Sequence, residues 1–148
     1  PEVSNKTARL MDRANRQHGY LSGDQAEDLA RRYLMDQGLE LLGKNFRTRQ
    51  GKIDLIMKDN GCIVFVEVRF RRSQIFGGAA ASITAKKCRR LTAAAAVYLQ
   101  SRGLGASNPA RFDAVTIGPS SNPMTDDAGH LHSQLKNYAI DWIKNIIM

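Results

Sequence analysis

The chain is expected to fold as a single α/β domain, a central mixed β-sheet flanked by helices. Three observations carry that expectation. Two adjacent strand-like segments, residues 53–57 and 62–70, are apolar on both faces, as strands are in the middle of a sheet covered on both sides. Segments before and after them repeat apolar residues at helical period behind a capping residue. The order helix, three strands, helix, strand then calls for helices packed on a mixed sheet. A length of 148 residues suits one compact domain, and 43% hydrophobic with 24% charged residues is ordinary globular composition.

Residues 1–21 are polar and basic, lack the apolar core of a signal peptide, and read as a flexible arm ahead of a domain at residues 22–148. No apolar run approaches the ~20 residues of a membrane helix, so a cytoplasmic protein without a membrane partner is expected. Ser22 and Gln25 have capping-box spacing. Ala26, Leu29, Ala30, Tyr33 and Leu34 follow at helical period, and Gly38 supplies the stop. Residues 39–42 read as a first strand, and Lys44, Arg47 and Arg49 as an exposed basic stretch. Asn60-Gly61 joins the next two strands as a tight hairpin, because both positions accept positive φ. Its expected faces are Ile53, Leu55, Met57, Val64, Val66 and Val68 on one side, with Ile56, Ile63 and Phe65 on the other.

After a small-residue loop at 76–81, a second helix is expected over residues 84–101, burying Cys88, Leu91, Ala95, Tyr98 and Leu99 and ending at Gly103. A turn at 105–109, a strand at 112–117 and a polar loop at 118–129 follow. The tail carries Leu135, Tyr138, Ala139, Trp142, Ile143, Ile146 and Ile147, which fit a helix by period and a strand equally well. Cys62 and Cys88 lack metal-ligand spacing and read as packing residues.

The charge is concentrated. Residues 68–111 hold nine Lys or Arg and no acid, while the rest of the chain has 13 basic and 14 acidic residues, so this segment carries the whole net charge of +8. A patch of that kind favours a polyanion, nucleic acid first; general solubility is the plainer explanation. Lys86, Lys87, Arg89 and Arg90 crowd a helix start, which is already partly positive. An anion such as phosphate would complete it, with Thr84 or Ser82 as cap.

Counting outward from Asn60-Gly61, paired positions place Asp54 opposite Glu67, with carboxylates ~5 Å apart. Like charges so placed should push one pKa up, and a divalent cation such as Mg²⁺ or Mn²⁺ is the natural compensator. Arg69 shares the face of Glu67, with Lys52 opposite, adding cations able to hold a phosphate. The structural alternative is that Asp54 and Glu67 are ion-pair partners of Lys52 and Arg69 at a sheet end.

Gly-Asp-Gln-Ala-Glu (23–27), Asn-Phe-Arg-Thr-Arg (45–49), Gly-Lys-Ile-Asp-Leu-Ile (51–56), Val-Phe-Val-Glu-Val-Arg (64–69), Phe-Gly-Gly-Ala-Ala-Ala-Ser-Ile-Thr (76–84) and Arg-Phe-Asp (111–113) carry a resemblance. With them the chain resembles the YraN-type family of small, uncharacterised bacterial proteins. That family looks like the restriction-endonuclease-like superfamily, with its Asp then Glu-x-Lys on a hairpin, and within it like archaeal Holliday-junction resolvases. The resemblance implies a restriction-endonuclease-like fold and a nuclease-like domain over residues 22–148. It implies Asp54 and Glu67 as ligands of Mg²⁺ or Mn²⁺, and Glu27, Asp54, Glu67 and Arg69 as the catalytic set. Glu27 is the helix carboxylate; a surface ion pair with Arg31 is its plainer role. Two departures stand out. Arg69 occupies the place of the catalytic Lys, and Arg binds phosphate well but cannot act as a base. Lys52 stands where the family usually shows an acid.

The expected function is a metal-dependent nuclease, acting on DNA more readily than RNA and on branched DNA as one substrate. Lys52, Arg71, Arg72, Lys86, Lys87, Arg89 and Arg90 would meet the nucleic acid. The alternative is a non-catalytic nucleic-acid-binding module that keeps the fold; a third reading is an adaptor for an acidic protein. The oligomeric state is left open, a homodimer included.

Overall fold

The structure is a computed structural model that describes residues 21–71, 83–105, 107–120 and 138–147. Helix α1 spans Gly23–Asp36, and strands β1 Glu40–Arg47, β2 Lys52–Asp59 and β3 Cys62–Phe70 follow; then come helix α2 Ala85–Ser101, β4 Ala110–Pro119 and β5 Tyr138–Ile143. The strands form one sheet in the order β1-β2-β3-β4-β5. Only β3 and β4 are parallel; the other neighbours are antiparallel. A parallel pair needs a crossover, and α2 lies in the one between β3 and β4.

The α/β architecture and the two-sided sheet are as expected. On one face α1 packs Leu29, Ala30 and Leu34 onto Leu55, Met57, Val64, Val66, Val115 and Ile117. On the other α2 packs Leu91, Ala94, Ala95 and Tyr98 onto Ile53, Ile56, Ile63 and Phe65. The Ser22 capping box forms in both directions with Gln25, and Leu21, assigned to the arm, instead packs against the α1 side of the core. Such a contact just ahead of the cap fixes the entry of the chain into the helix. Asn60 and Gly61 both take positive φ, 48° and 84°, as a two-residue hairpin turn requires. Cys88 and Leu99 are only partly buried, and Ala94 takes a place in the stripe.

Three differences matter. β1 runs to Arg47 rather than ending at residue 42. It is an edge strand, where polar residues such as Lys44 and Asn45 are tolerated. Second, Ile53 packs under α2, not beside Leu55 on the α1 face. Its partner Phe46 goes with it, although the β1–β2 register is unbroken from Gly43↔Ile56 to Arg47↔Lys52. Residues two apart should share a face, so both strands change face together at Asn45 and Asp54. Asn45 has φ 54°. That left-handed conformation, which Asn tolerates better than most residues, turns the strand at this point.

Third, the described part of the tail forms a strand over Tyr138–Ile143, with Ile146 and Ile147 beyond it and Leu135 outside the described residues. A buried network fixes it: Asp113, 0% exposed, accepts hydrogen bonds from Arg111 Nε (3.0 Å), Trp142 Nε1 (2.9 Å) and the Asn145 backbone N–H (3.1 Å). Arg111 also reaches Asp59 at 2.8 Å. A carboxylate so buried requires such partners, and two of them belong to the tail. The glycine loop at 76–81, Ser82, Arg72, the arm before Leu21 and most of the 118–129 loop lie outside the described residues. Among the described residues no helix is long and apolar enough to cross a membrane.

Candidate metal and nucleic-acid site

The site sits where β2 leaves β3. The paired register runs from Asp59↔Cys62 to Leu55↔Val66 and stops one step short of the expected Asp54–Glu67 pair. At that point Asp54 turns its carboxylate into the gap, and Oδ2 accepts the Val68 backbone N–H at 2.9 Å. The side chain thus replaces a strand carbonyl and satisfies a donor that would otherwise be stranded. Asp54 and Glu67 are both buried.

Each acid has a cation. Lys52 Nζ lies 3.2 Å from Asp54 Oδ1 and 3.3 Å from Glu27 Oε1. Glu67 Oε1 lies 3.3 Å from Arg69 Nε and 3.2 Å from Lys87 Nζ. The Arg69 contact has ion-pair distance without hydrogen-bond alignment. The two ion pairs of the structural alternative, Lys52 with Asp54 and Arg69 with Glu67, are therefore present. What they leave over is Glu67 Oε2, a buried carboxylate oxygen with no partner on a side chain only 5% exposed. The Glu67 carboxyl is pushed up to about 7, by burial first and the Asp54 charge second, against the opposing pull of Lys87 and Arg69. Like-charge repulsion was the cause expected from the sequence; burial exceeds it. Burial lowers the Lys52 ammonium, but the charges of Asp54 and Glu27 outweigh that and leave its pKa raised.

Glu27 does not pair with Arg31. Asp28 does, and binds Arg32 as well, while Glu27 faces the sheet and holds Lys52. Among the described residues no three His, Cys, Asp or Glu side chains converge as a metal cluster. The donor set is thus two carboxylates, Asp54 and Glu67, with one oxygen uncommitted. That fits a hard cation such as Mg²⁺, which binds through one or two carboxylates and keeps several waters.

Next to the acids lies an open cleft of about 450 Å³, lined by Arg47, Thr48, Arg49, Gln50, Gly51, Lys52, Lys87 and Arg90. The turn from β1 to β2 builds one wall: the Thr48 hydroxyl accepts the Gln50 and Gly51 backbone N–H groups, both at 3.1 Å. α2 builds the other. Gly51 brings the walls together, since a Cβ there would stand 2.8 Å from the Arg90 carbonyl oxygen. Thr84 caps α2 by accepting the Lys87 N–H.

The four cations expected at this helix start divide. Lys87 and Arg90 line the cleft, and Lys87 finds an anion inside the protein, Glu67. Lys86 and Arg89 are exposed outside it. Arg71 reaches Asp141 on β5 at 3.3 Å, and the Arg102 guanidinium stacks over Tyr98. The basic segment therefore supplies only part of the cleft. Arg47 and Arg49, from the turn before it, were not expected among the site residues; their spacing around a short turn, two cations next to Gly51 and Lys52, was the available signal.

The fold and site define a small α/β domain with a buried acid pair whose partners Lys52 and Lys87 line a basic cleft. The family model of the uncharacterised protein family UPF0102 matches residues 26–117. The chain is 40% identical over 136 residues to a UPF0102 protein of Pseudomonas paraeruginosa, an alignment covering 92% of this chain and 97% of the relative. A UPF0102 protein of Methylobacillus flagellatus is 53% identical over 95 residues, 64% of this chain and 81% of the relative. One of Yersinia pseudotuberculosis is 54% identical over 97 residues, 65% and 83%. This chain belongs to the UPF0102 family, as its YraN-type motifs imply.

Proposed function

We propose that this protein is a metal-dependent nuclease of restriction-endonuclease-like fold, acting in the cytoplasm on nucleic acid, DNA in preference to RNA. The observation that carries the reading is the buried, unpartnered Glu67 Oε2 beside Asp54, next to a cleft lined by five cations. A polyanion in the cleft would meet Arg47, Arg49, Lys52, Lys87 and Arg90. Arg69 and Lys87, both on Glu67, would turn to a phosphate at the acid pair and stabilise its developing charge. Mg²⁺ or Mn²⁺ held by Asp54 and Glu67 would supply an activated water and Lewis acidity. The carboxylates hold and orient; the arginines cannot take a proton.

The second reading, a binding module without catalysis, is favoured by the ion pairs that already neutralise Asp54 and Glu67 and by Arg69 in place of a lysine. Incubation of the protein with branched, duplex and single-stranded DNA and RNA, with and without Mg²⁺ or Mn²⁺, separates the two. Metal-dependent cleavage that disappears in Asp54→Ala, with binding retained, is the expected result. Tight binding with no cleavage of any substrate would leave the binding module.

A further inference from the structure

Four charged groups line up across the mouth of the site: Glu27 on α1, then Lys52 and Asp54 on β2, then Glu67 on β3. Lys52 Nζ occupies the gap between Glu27 and Asp54, at 3.3 and 3.2 Å. Those carboxylates are mostly buried, with side chains 14% and 11% exposed. An ammonium is a compact point charge with three donors. A divalent ion such as Mg²⁺ needs the same oxygens at ~2.0–2.1 Å, so the two cannot share the gap. On the other side of Asp54 the situation is reversed: Glu67 Oε2 is buried and has no partner.

Resting on the metal reading above, we propose that the Lys52 ammonium is a built-in substitute for a second metal ion. The centre then takes one divalent cation, between Asp54 and Glu67 Oε2, and Glu27 is a positioning residue that holds Lys52 rather than a metal ligand. Charge supports the count. In the metal-free site Lys52, Arg69 and Lys87 balance the three carboxylates; once Arg69 and Lys87 turn to a phosphate, one ammonium and one divalent ion balance the same three charges.

The test is Mn²⁺ stoichiometry on the full chain, followed by electron paramagnetic resonance of free Mn²⁺ and by calorimetry. Wild type should bind one ion per chain. Lys52→Met should bind two, and Lys52→Met with Glu27→Gln should return to one. Glu27→Gln alone, which removes one of the two carboxylates on Lys52, should still bind one ion; it decides the matter if circular dichroism shows Lys52→Met unfolded. Two ions in wild type, one in a folded Lys52→Met, or loss of the ion in Glu27→Gln would each overturn the proposal while leaving a metal centre. No ion in wild type would overturn the metal reading itself, and the proposal with it.

Discussion

Glu67 is the residue whose chemistry is least settled by its partners. It sits between burial, which disfavours its charge, and two cations that favour it, and the balance leaves its carboxyl at about 7 against an ordinary 4.5. A carboxyl raised on folding gives a stability contribution fully present below pH 4.5 that is lost as pH rises to about 7, because the folded state must then bury a charge the unfolded state keeps in water. Metal-free wild type should therefore lose stability relative to Glu67→Gln between pH 4.5 and 7 in paired thermal or urea melts. Parallel pH profiles would show that the charge is already compensated. Mn²⁺ should reverse the trend, since the ion binds only the ionised form. Arg69 lends itself to an equally direct comparison. Arg69→Lys keeps the positive charge beside Glu67 and adds a group that can exchange protons, so cleavage should be preserved or raised in a turnover assay; a fall to background would mean that the planar guanidinium itself is required. That Asp54 and Glu67 stand near one another was readable from one tight turn by counting; their direct pairing was not, because the ladder ends at Leu55↔Val66 and Asp54 turns to the Val68 N–H. Lys52's hold on Glu27 was not readable either, since it joins residues 25 apart through the docking of α1 on the sheet, which no local pattern encodes.

Among the elements, the β1–β2 turn and its contact with α2 matter most to the cleft. Gly51 has no positive φ to explain it; what it supplies is room, since a Cβ would meet the Arg90 carbonyl oxygen at 2.8 Å, the Arg90 Cβ at 3.0 Å and the Arg90 carbonyl carbon at 3.1 Å. Backbone cannot step aside as a side-chain tip can. Gly51→Ala should therefore push the turn off α2, costing about 1–3 kcal/mol as overpacking does, and should weaken nucleic-acid binding because Arg47 and Arg49 move away from Lys87 and Arg90. A variant with wild-type melting and wild-type affinity would show that the turn adjusts freely and that the cleft needs no such closeness. Helices α1 and α2 and the β2–β3 hairpin were legible in the sequence, because caps, glycine stops and a two-residue turn are local chemistry. The face change at Asn45 and Asp54 was not. It needs a left-handed residue in one strand acting on its neighbour, and strict alternation assigned Ile53 to the wrong side. The tail was undecided for a similar reason: its apolar spacing suits both periods, and the buried Asp113, holding Trp142 and Asn145, selects the strand from outside the segment.

Across the whole molecule, the surplus of positive charge divides into cations that build the protein and cations free to meet a ligand. The sequence located the surplus in residues 68–111 but could not make this division, because it depends on which acids the fold brings near. Arg111 is committed to Asp59 and Asp113, Arg71 to Asp141, and Arg102 lies over a tyrosine ring. The cleft instead recruits Arg47 and Arg49 from before the segment to join Arg90, while Lys52 and Lys87 line it and are paired with the site's own acids. Binding driven by phosphate contacts falls with salt by ~0.9 in log K per duplex phosphate neutralised. If the cleft is the binding surface, Arg47→Ala with Arg90→Ala should flatten the salt slope by up to ~1.8 in a duplex titration. Both residues line the cleft and neither is ion-paired with Asp54 or Glu67, so the acid pair is left undisturbed. Lys86→Ala with Arg89→Ala removes the same charge from the exposed side of the helix. Acting only through long-range potential, which salt screens over ~10 Å at 0.1 M, that pair should change the slope by much less. Equal slopes for the two double variants would mean that nucleic acid reads total charge, not the cleft. A larger change from Lys86 and Arg89 would move the interface to the outer face of α2, away from the acid pair, and would separate binding from any chemistry at Asp54 and Glu67.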